Sequence, residues 1–129
     1  MANSGILDSS VLIDCLRGRI AGVSFLASVA SAGIPATHVI VAAEILTGAR
    51  DKREQELIDS FLAGFAIISP TELDGLAALD MYRSYHLSHG VDWPDCQIAA
   101  TAIRLGLEVL TLNVKHFAIF PGLRVVRPY

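Results

Sequence analysis

Short apolar runs alternate along the chain with longer stretches in which apolar residues recur every three or four positions. After a polar lead at residues 1–4, Ile6 and Leu7 read as a buried strand that ends at Asp8. Val11, Leu12, Ile13 and Leu16 begin a helix, which Arg17-Gly18-Arg19 breaks. Helical spacing resumes at Val23, Leu26, Ala27 and Ala30, and Gly33 stops it. A strand is expected at 34–37, a helix at 39–47, and an amphipathic helix with Leu57, Ile58, Phe61 and Leu62 on one face. A strand at 65–68 precedes a long helix opened by Thr71, Glu72 and Asp74. Asp92-Trp93-Pro94-Asp95 starts another helix, with Pro94 expected at its first position, and Gly106 ends it. Residues 108–111 read as a strand, 113–120 as irregular, and 123–126 as a last strand. Strands and helices that alternate in this way predict an α/β fold with a central, mainly parallel sheet of four or five strands and helices on both faces. No composition shift marks a boundary, so residues 1–129 are expected to form one domain.

Composition narrows the classes. Hydrophobic residues make up 53% of the chain and charged ones 18%, so a charge on an apolar helix face is informative. A net charge of −3 and a pI near 5.7 argue against tight binding of nucleic acid over the whole surface, while leaving room for a local basic rim. No apolar run approaches the roughly 20 residues that span a bilayer, and no leader is visible, so a cytoplasmic protein without a membrane segment is expected. Two cysteines, Cys15 and Cys96, are too few for a disulfide scaffold.

Three acids stand on apolar sides. Asp8 ends the first strand. Glu44 is the only charge of its helix and follows Ile40 and Val41 by four and three residues. Asp95 lies in a first helical turn, on one face with Ile98, Ala99 and Ala102. In a parallel sheet all three can meet at the carboxyl edge, where ligands bind. Clustered carboxylates repel and raise one another's pKa. A hard divalent cation removes that penalty, and carboxylate oxygen suits Mg²⁺ or Mn²⁺. Two of the acids also have a plain structural role available: Asp8 as a helix cap, Asp95 as a favourable charge at a helix start; capping is not open to Glu44 in mid-helix.

Four segments carry a family resemblance: Ile6-Leu7-Asp8-Ser9-Ser10-Val11-Leu12-Ile13, Val41-Ala42-Ala43-Glu44-Ile45-Leu46-Thr47-Gly48, Asp95-Cys96-Gln97-Ile98-Ala99-Ala100-Thr101-Ala102, and Leu110-Thr111-Leu112-Asn113-Val114-Lys115-His116-Phe117. In this order the chain resembles PIN-domain proteins, most of all the VapC-type toxins of toxin–antitoxin pairs. The resemblance implies a PIN-like three-layer α/β/α sandwich and a metal-dependent endoribonuclease. It makes Asp8, Glu44 and Asp95 the catalytic acids that hold Mg²⁺ or Mn²⁺, with Ser9, Ser10 and Asn113 as supporting polar residues. It also implies an RNA substrate, a VapB-type antitoxin and a homodimer. The family's fourth acid falls around residues 113–116, where this chain has Asn113 and His116 and no carboxylate. That departure leaves a second metal open.

Arg17, Arg50, Arg53 and Arg83 are candidates for an RNA-contacting rim. Two other readings stay in view: a PIN scaffold that has lost catalysis and serves as a binding module, and a PIN nuclease that processes RNA without an antitoxin. A phosphoryl-accepting receiver domain needs an acid at the end of its third strand, where this chain has Ile68-Ser69-Pro70.

Overall fold

The computed structural model describes residues 5–129, so the polar lead at 1–4 lies outside the described residues. Five parallel strands form the sheet: β1 (Gly5–Leu7), β2 (Ala36–His38), β3 (Ala66–Ile68), β4 (Glu108–Leu110) and β5 (Val125–Val126). Their spatial order is β3-β2-β1-β4-β5, and every pairing is parallel. Helices α1 (Ser9–Leu16) and α2 (Ile20–Ala32) join β1 to β2, and α3 (Val39–Thr47) and α4 (Lys52–Leu62) join β2 to β3. Helices α5 (Glu72–His89) and α6 (Trp93–Leu105) lead to β4, and the short α7 (Val114–Phe117) leads to β5. Right-handed crossovers put α1 to α4 on one face and α5 to α7 on the other, because the direction of travel reverses between β3 and β4. This is the three-layer α/β/α arrangement expected. The order of the chain turns around between β1 and β4, the switch point at which open parallel sheets bind ligands.

Local chemistry explains the helix limits. The Asp51 carboxylate accepts the Glu54 N–H at 2.8 Å and starts α4. Thr71 and Asp74 cap α5 reciprocally, and Gly90 closes it in the left-handed conformation. Pro94 sits at the second position of α6, one later than expected, because Trp93 already takes helical geometry. Two expectations shift more. Strand β2 starts at Ala36, after Pro35, whose ring has no N–H for the ladder. Residues 114–117, expected to be irregular, form α7, anchored by the buried Phe117.

The core runs through Ile6, Leu7, Val11, Leu12, Val41, Ile98, Val109 and Phe117, each at most 1% exposed. Helices α5 and α6 are joined by a polar clamp at its margin, where the exposed Arg104 meets a buried acid. The Asp74 carboxylate, 1% exposed, accepts from Arg104 Nε at 2.7 Å and Nη2 at 3.0 Å. No helix among the described residues is long and apolar enough to cross a membrane.

Candidate active site at the carboxyl edge

Leu7 pairs with Leu110, so the residues that follow, Asp8 and Thr111, emerge side by side at the switch point. The Asp8 N–H donates to Leu110 O at 2.9 Å. Asp8 precedes α1 with extended backbone, but its side chain makes no capping bond. Its Oδ2 instead accepts from Thr111 Oγ1 at 2.8 Å and from Ser10 Oγ at 3.4 Å. Ser10 Oγ in turn lies 3.2 Å from Thr111 Oγ1 and accepts the Leu112 N–H at 3.0 Å. The Asn113 N–H donates to Thr111 Oγ1 at 2.9 Å. One carboxylate oxygen of the buried Asp8 is thereby fixed by hydroxyls, leaving the other for a ligand.

Asp95 reaches the same edge from the first turn of α6, with its side chain 16% exposed. Burial, and then the charges of Asp8, Asp92 and Glu44, push its carboxyl up to about 7. Glu44, on α3, is exposed rather than turned into the core as its spacing suggested. Desolvation by its surroundings, with the charges of Asp8 and Asp92, nevertheless raises its pKa. Asp92 is a fourth acid at this edge. It is the N-cap residue of α6, exposed and without a side-chain capping bond, and its charge acts on both Glu44 and Asp95. Among the described residues, no three His, Cys, Asp or Glu side chains stand close enough together to hold a metal ion as they are. Like charges in a partly dry patch keep apart without a cation. The donor set of hard, mutually repelling carboxylate oxygens nonetheless fits a hard divalent ion.

Two concavities flank the acids. A cavity of about 230 Å³ holds Asp95 and Asp92 with His89, Lys115 and His116. His116 Nδ1 is 3.9 Å from Asp95 Oδ2, so the position without a carboxylate carries an imidazole facing an acid. On the other side, a groove of about 490 Å³ runs from Glu44 along Ile13, Leu16, Leu57 and Ile58.

The chain matches the PIN domain family over residues 5–121. It belongs to that family. It is 38% identical over 120 residues to Ribonuclease VapC10 of Mycobacterium tuberculosis, covering 92% of this chain and 90% of that protein. It is 34% identical over 121 residues to Ribonuclease VapC19 of the same species, covering 92% of this chain and 96% of that protein. Among solved structures it superposes on a chain of a toxin–antitoxin complex from Klebsiella pneumoniae with a TM-score of 0.77 and 30% identity, over 98% of both chains. The chain is therefore a VapC-type PIN domain, with these acids at its switch point.

The expected supporting residues divide. Ser10 enters the Asp8 network directly; Ser9 opens α1 and makes no side-chain bond among the described residues. Asn113 joins through its backbone N–H and is exposed. The expected arginine rim disperses. Arg17 and Arg50 line the Glu44 groove, but Arg50 is held by Glu54 at 2.7 Å. Arg83 pairs with Asp80 on α5, and Arg53 is exposed on α4; neither lines the Glu44 groove or the Asp95 cavity. Residue type alone does not mark Thr111 as a site residue, because only the Leu7–Leu110 register makes it a partner of Asp8.

Proposed function

We propose that residues 1–129 form a single PIN domain that acts in the cytoplasm as a metal-dependent endoribonuclease, the toxin of a VapBC-type toxin–antitoxin pair. The observation that carries this reading is the convergence of Asp8, Glu44, Asp92 and Asp95 at the switch point of a chain whose close relatives bear the name ribonuclease. Asp8, Glu44 and Asp95 are the residues that would hold Mg²⁺ or Mn²⁺. Once bound there, such an ion supplies charge neutralisation and Lewis acidity at a phosphodiester and its attacking water. The residues of the chain do the rest. Thr111 and Ser10 hold Asp8 in one orientation, so the edge keeps its shape as charge develops. Glu44, open to solvent and with a raised pKa, takes the proton of the attacking water on its carboxylate. Hydrolysis of this kind leaves a 5′ phosphate and a 3′ hydroxyl.

The groove beside Glu44 supports an antitoxin partner. Its apolar wall of Ile13, Leu16, Leu57 and Ile58 leads to a carboxylate, and so fits an amphipathic segment that ends in a cation. Leu73, Leu76 and Leu79, exposed on α5, support self-association as a homodimer. The test is cleavage of a total RNA pool by the purified chain with Mg²⁺, Mn²⁺ or chelator, beside Asp8→Asn and Asp95→Asn. Metal-dependent cleavage lost in both variants is expected. Identical traces from all three proteins would favour the non-catalytic binding module, the reading that His116 in place of a carboxylate keeps open.

A further inference from the structure

The short helix α7 is a wall shared by two concavities. One opens onto Asp95 and is lined by His89, Lys115 and His116. The other shares Lys115 and His116 with it and is also lined by Asn113 and Arg127. Arg127 follows β5, and its Nη1 donates to Leu112 O at 3.2 Å, which ties its arm to the loop after β4. Both cationic side chains thus come from the carboxyl ends of the last two strands, beside the acid edge. Lys115, His116 and Arg127 are all exposed. Among the described residues, neither Lys115 nor Arg127 is ion-paired, whereas Arg19, Arg50, Arg83 and Arg104 each face an acid.

The placement answers an electrostatic need. The chain carries a net charge of −3, and four of its acids crowd the edge. A polyanion reaching that edge is repelled unless fixed cations meet its phosphates close by. The arginine rim suggested by sequence does not do this on the Asp95 side, whereas α7 and the segment after β5 do. We propose that single-stranded RNA passes from Asp95 over α7, with backbone phosphates seated on Lys115 and Arg127, and with His116 and Asn113 lining the passage. The track deepens the ribonuclease reading and rests on it.

The test is binding without catalysis. Fluorescence anisotropy with a labelled, mixed-sequence single-stranded oligoribonucleotide in EDTA is followed over a range of salt concentrations. For single strands the slope of log K against log salt is about 0.7 per phosphate contacted. The Lys115→Ala/Arg127→Ala double variant is expected to lower the slope by about 1.4 and to weaken binding roughly tenfold or more at low salt. Lys115→Ala alone gives half that change in slope, and melting temperature checks that each variant folds. The control is Lys52→Ala/Arg124→Ala, which removes the same charge elsewhere; Arg124 bonds Gly106 O at the opposite edge of the sheet. Equal slopes in the α7 variants and wild type, or equal losses in the α7 and control pairs, overturn the track. A parallel reaction with Mn²⁺ separates the two claims. Cleavage by wild type with an unaltered slope overturns the track alone. No cleavage by wild type overturns the ribonuclease reading, while the salt slope still decides whether α7 carries a polyanion.

Discussion

Thr111 is the residue on which the orientation of Asp8 turns. Its hydroxyl donates at 2.8 Å to a carboxylate that is 4% exposed, while accepting the Asn113 N–H. Thr111→Val keeps the shape and removes both bonds. The loss leaves a buried carboxylate oxygen underbonded, at a cost of about 1–3 kcal/mol in stability. We expect urea unfolding to show that loss and RNA cleavage to fall, with Thr111→Ser restoring most of both. Full activity in Thr111→Val would mean that Ser10 alone orients Asp8. Asp8, Glu44 and Asp95 stand out in the sequence by residue type and place, whereas Ser10 is singled out only by the family resemblance. Thr111 is not, because its role arises from strand register. Glu44 shows the opposite limit: helical spacing pointed it toward apolar neighbours, but α3 lies at the rim of a groove and leaves it exposed.

At the scale of elements, His38 joins strand, helix and helix. It ends β2, and its Nδ1 accepts the Ile40 N–H at 3.1 Å, capping α3. Nδ1 is therefore unprotonated, and Nε2 carries the hydrogen given to Thr101 Oγ1 on α6 at 3.1 Å. Thr101 passes a hydrogen bond on to Gln97 O at 2.9 Å. Burial of this fully enclosed imidazole lowers its pKa to about 4, against an opposing pull from Asp74. The unfolded chain binds a proton near pH 6.5 that the folded chain refuses until about 4. Stability from His38 is thus complete above 6.5 and is lost as pH falls from 6.5 to 4, by up to about 3 kcal/mol. His38→Asn keeps an acceptor for Ile40 but does not titrate. The stability difference between wild type and this variant should shrink over that window in chemical denaturation, and a constant difference would refute the assignment. A second element-scale prediction concerns α1 and α2. A methyl added at Gly22 would lie 2.9 Å from Asp14 Cβ and 3.0 Å from the Tyr129 hydroxyl, which itself bonds Asp14 at 2.8 Å. Gly22→Ala should cost about 1–3 kcal/mol in thermal unfolding. The helices were legible because 3.6-residue periodicity persists over many turns, as at 20–32 and 39–47. Strands of three residues and the four-residue α7 carry too little pattern for their limits to be read.

For the whole molecule, the acid edge is a strained feature that the rest of the fold holds in place. Asp95 has a folded-state pKa of about 7, above its ordinary 3.8, because it is buried among Asp8, Asp92 and Glu44. Between 3.8 and 7 the folded chain binds the proton more readily than the unfolded one. The metal-free protein therefore loses stability as pH rises through that window, in the direction opposite to the His38 contribution. Above pH 7 the ionised cluster persists only because the core and the Asp74–Arg104 clamp outweigh it. Asp95→Asn removes one charge from it. We expect this variant, metal-free at pH 8, to be about 1–2 kcal/mol more stable than wild type, a rise of roughly 4–7 °C in melting temperature for a chain of this size. A divalent ion should act on wild type by the same route. A cation that binds only the folded state stabilises it by about 2.7 kcal/mol at a hundredfold excess over its dissociation constant, roughly 10 °C. Differential scanning calorimetry with EDTA, Mg²⁺ and Mn²⁺ gives both numbers. The decisive pattern is a crossing. Asp95→Asn melts above wild type in EDTA and below it in saturating Mn²⁺, because neutralising the acid relieves repulsion and removes a ligand in one change. Parallel shifts of the two proteins with metal would mean that the ion binds elsewhere, and a lower melting temperature for the variant in EDTA would mean that Asp95 is held by favourable contacts rather than by constraint.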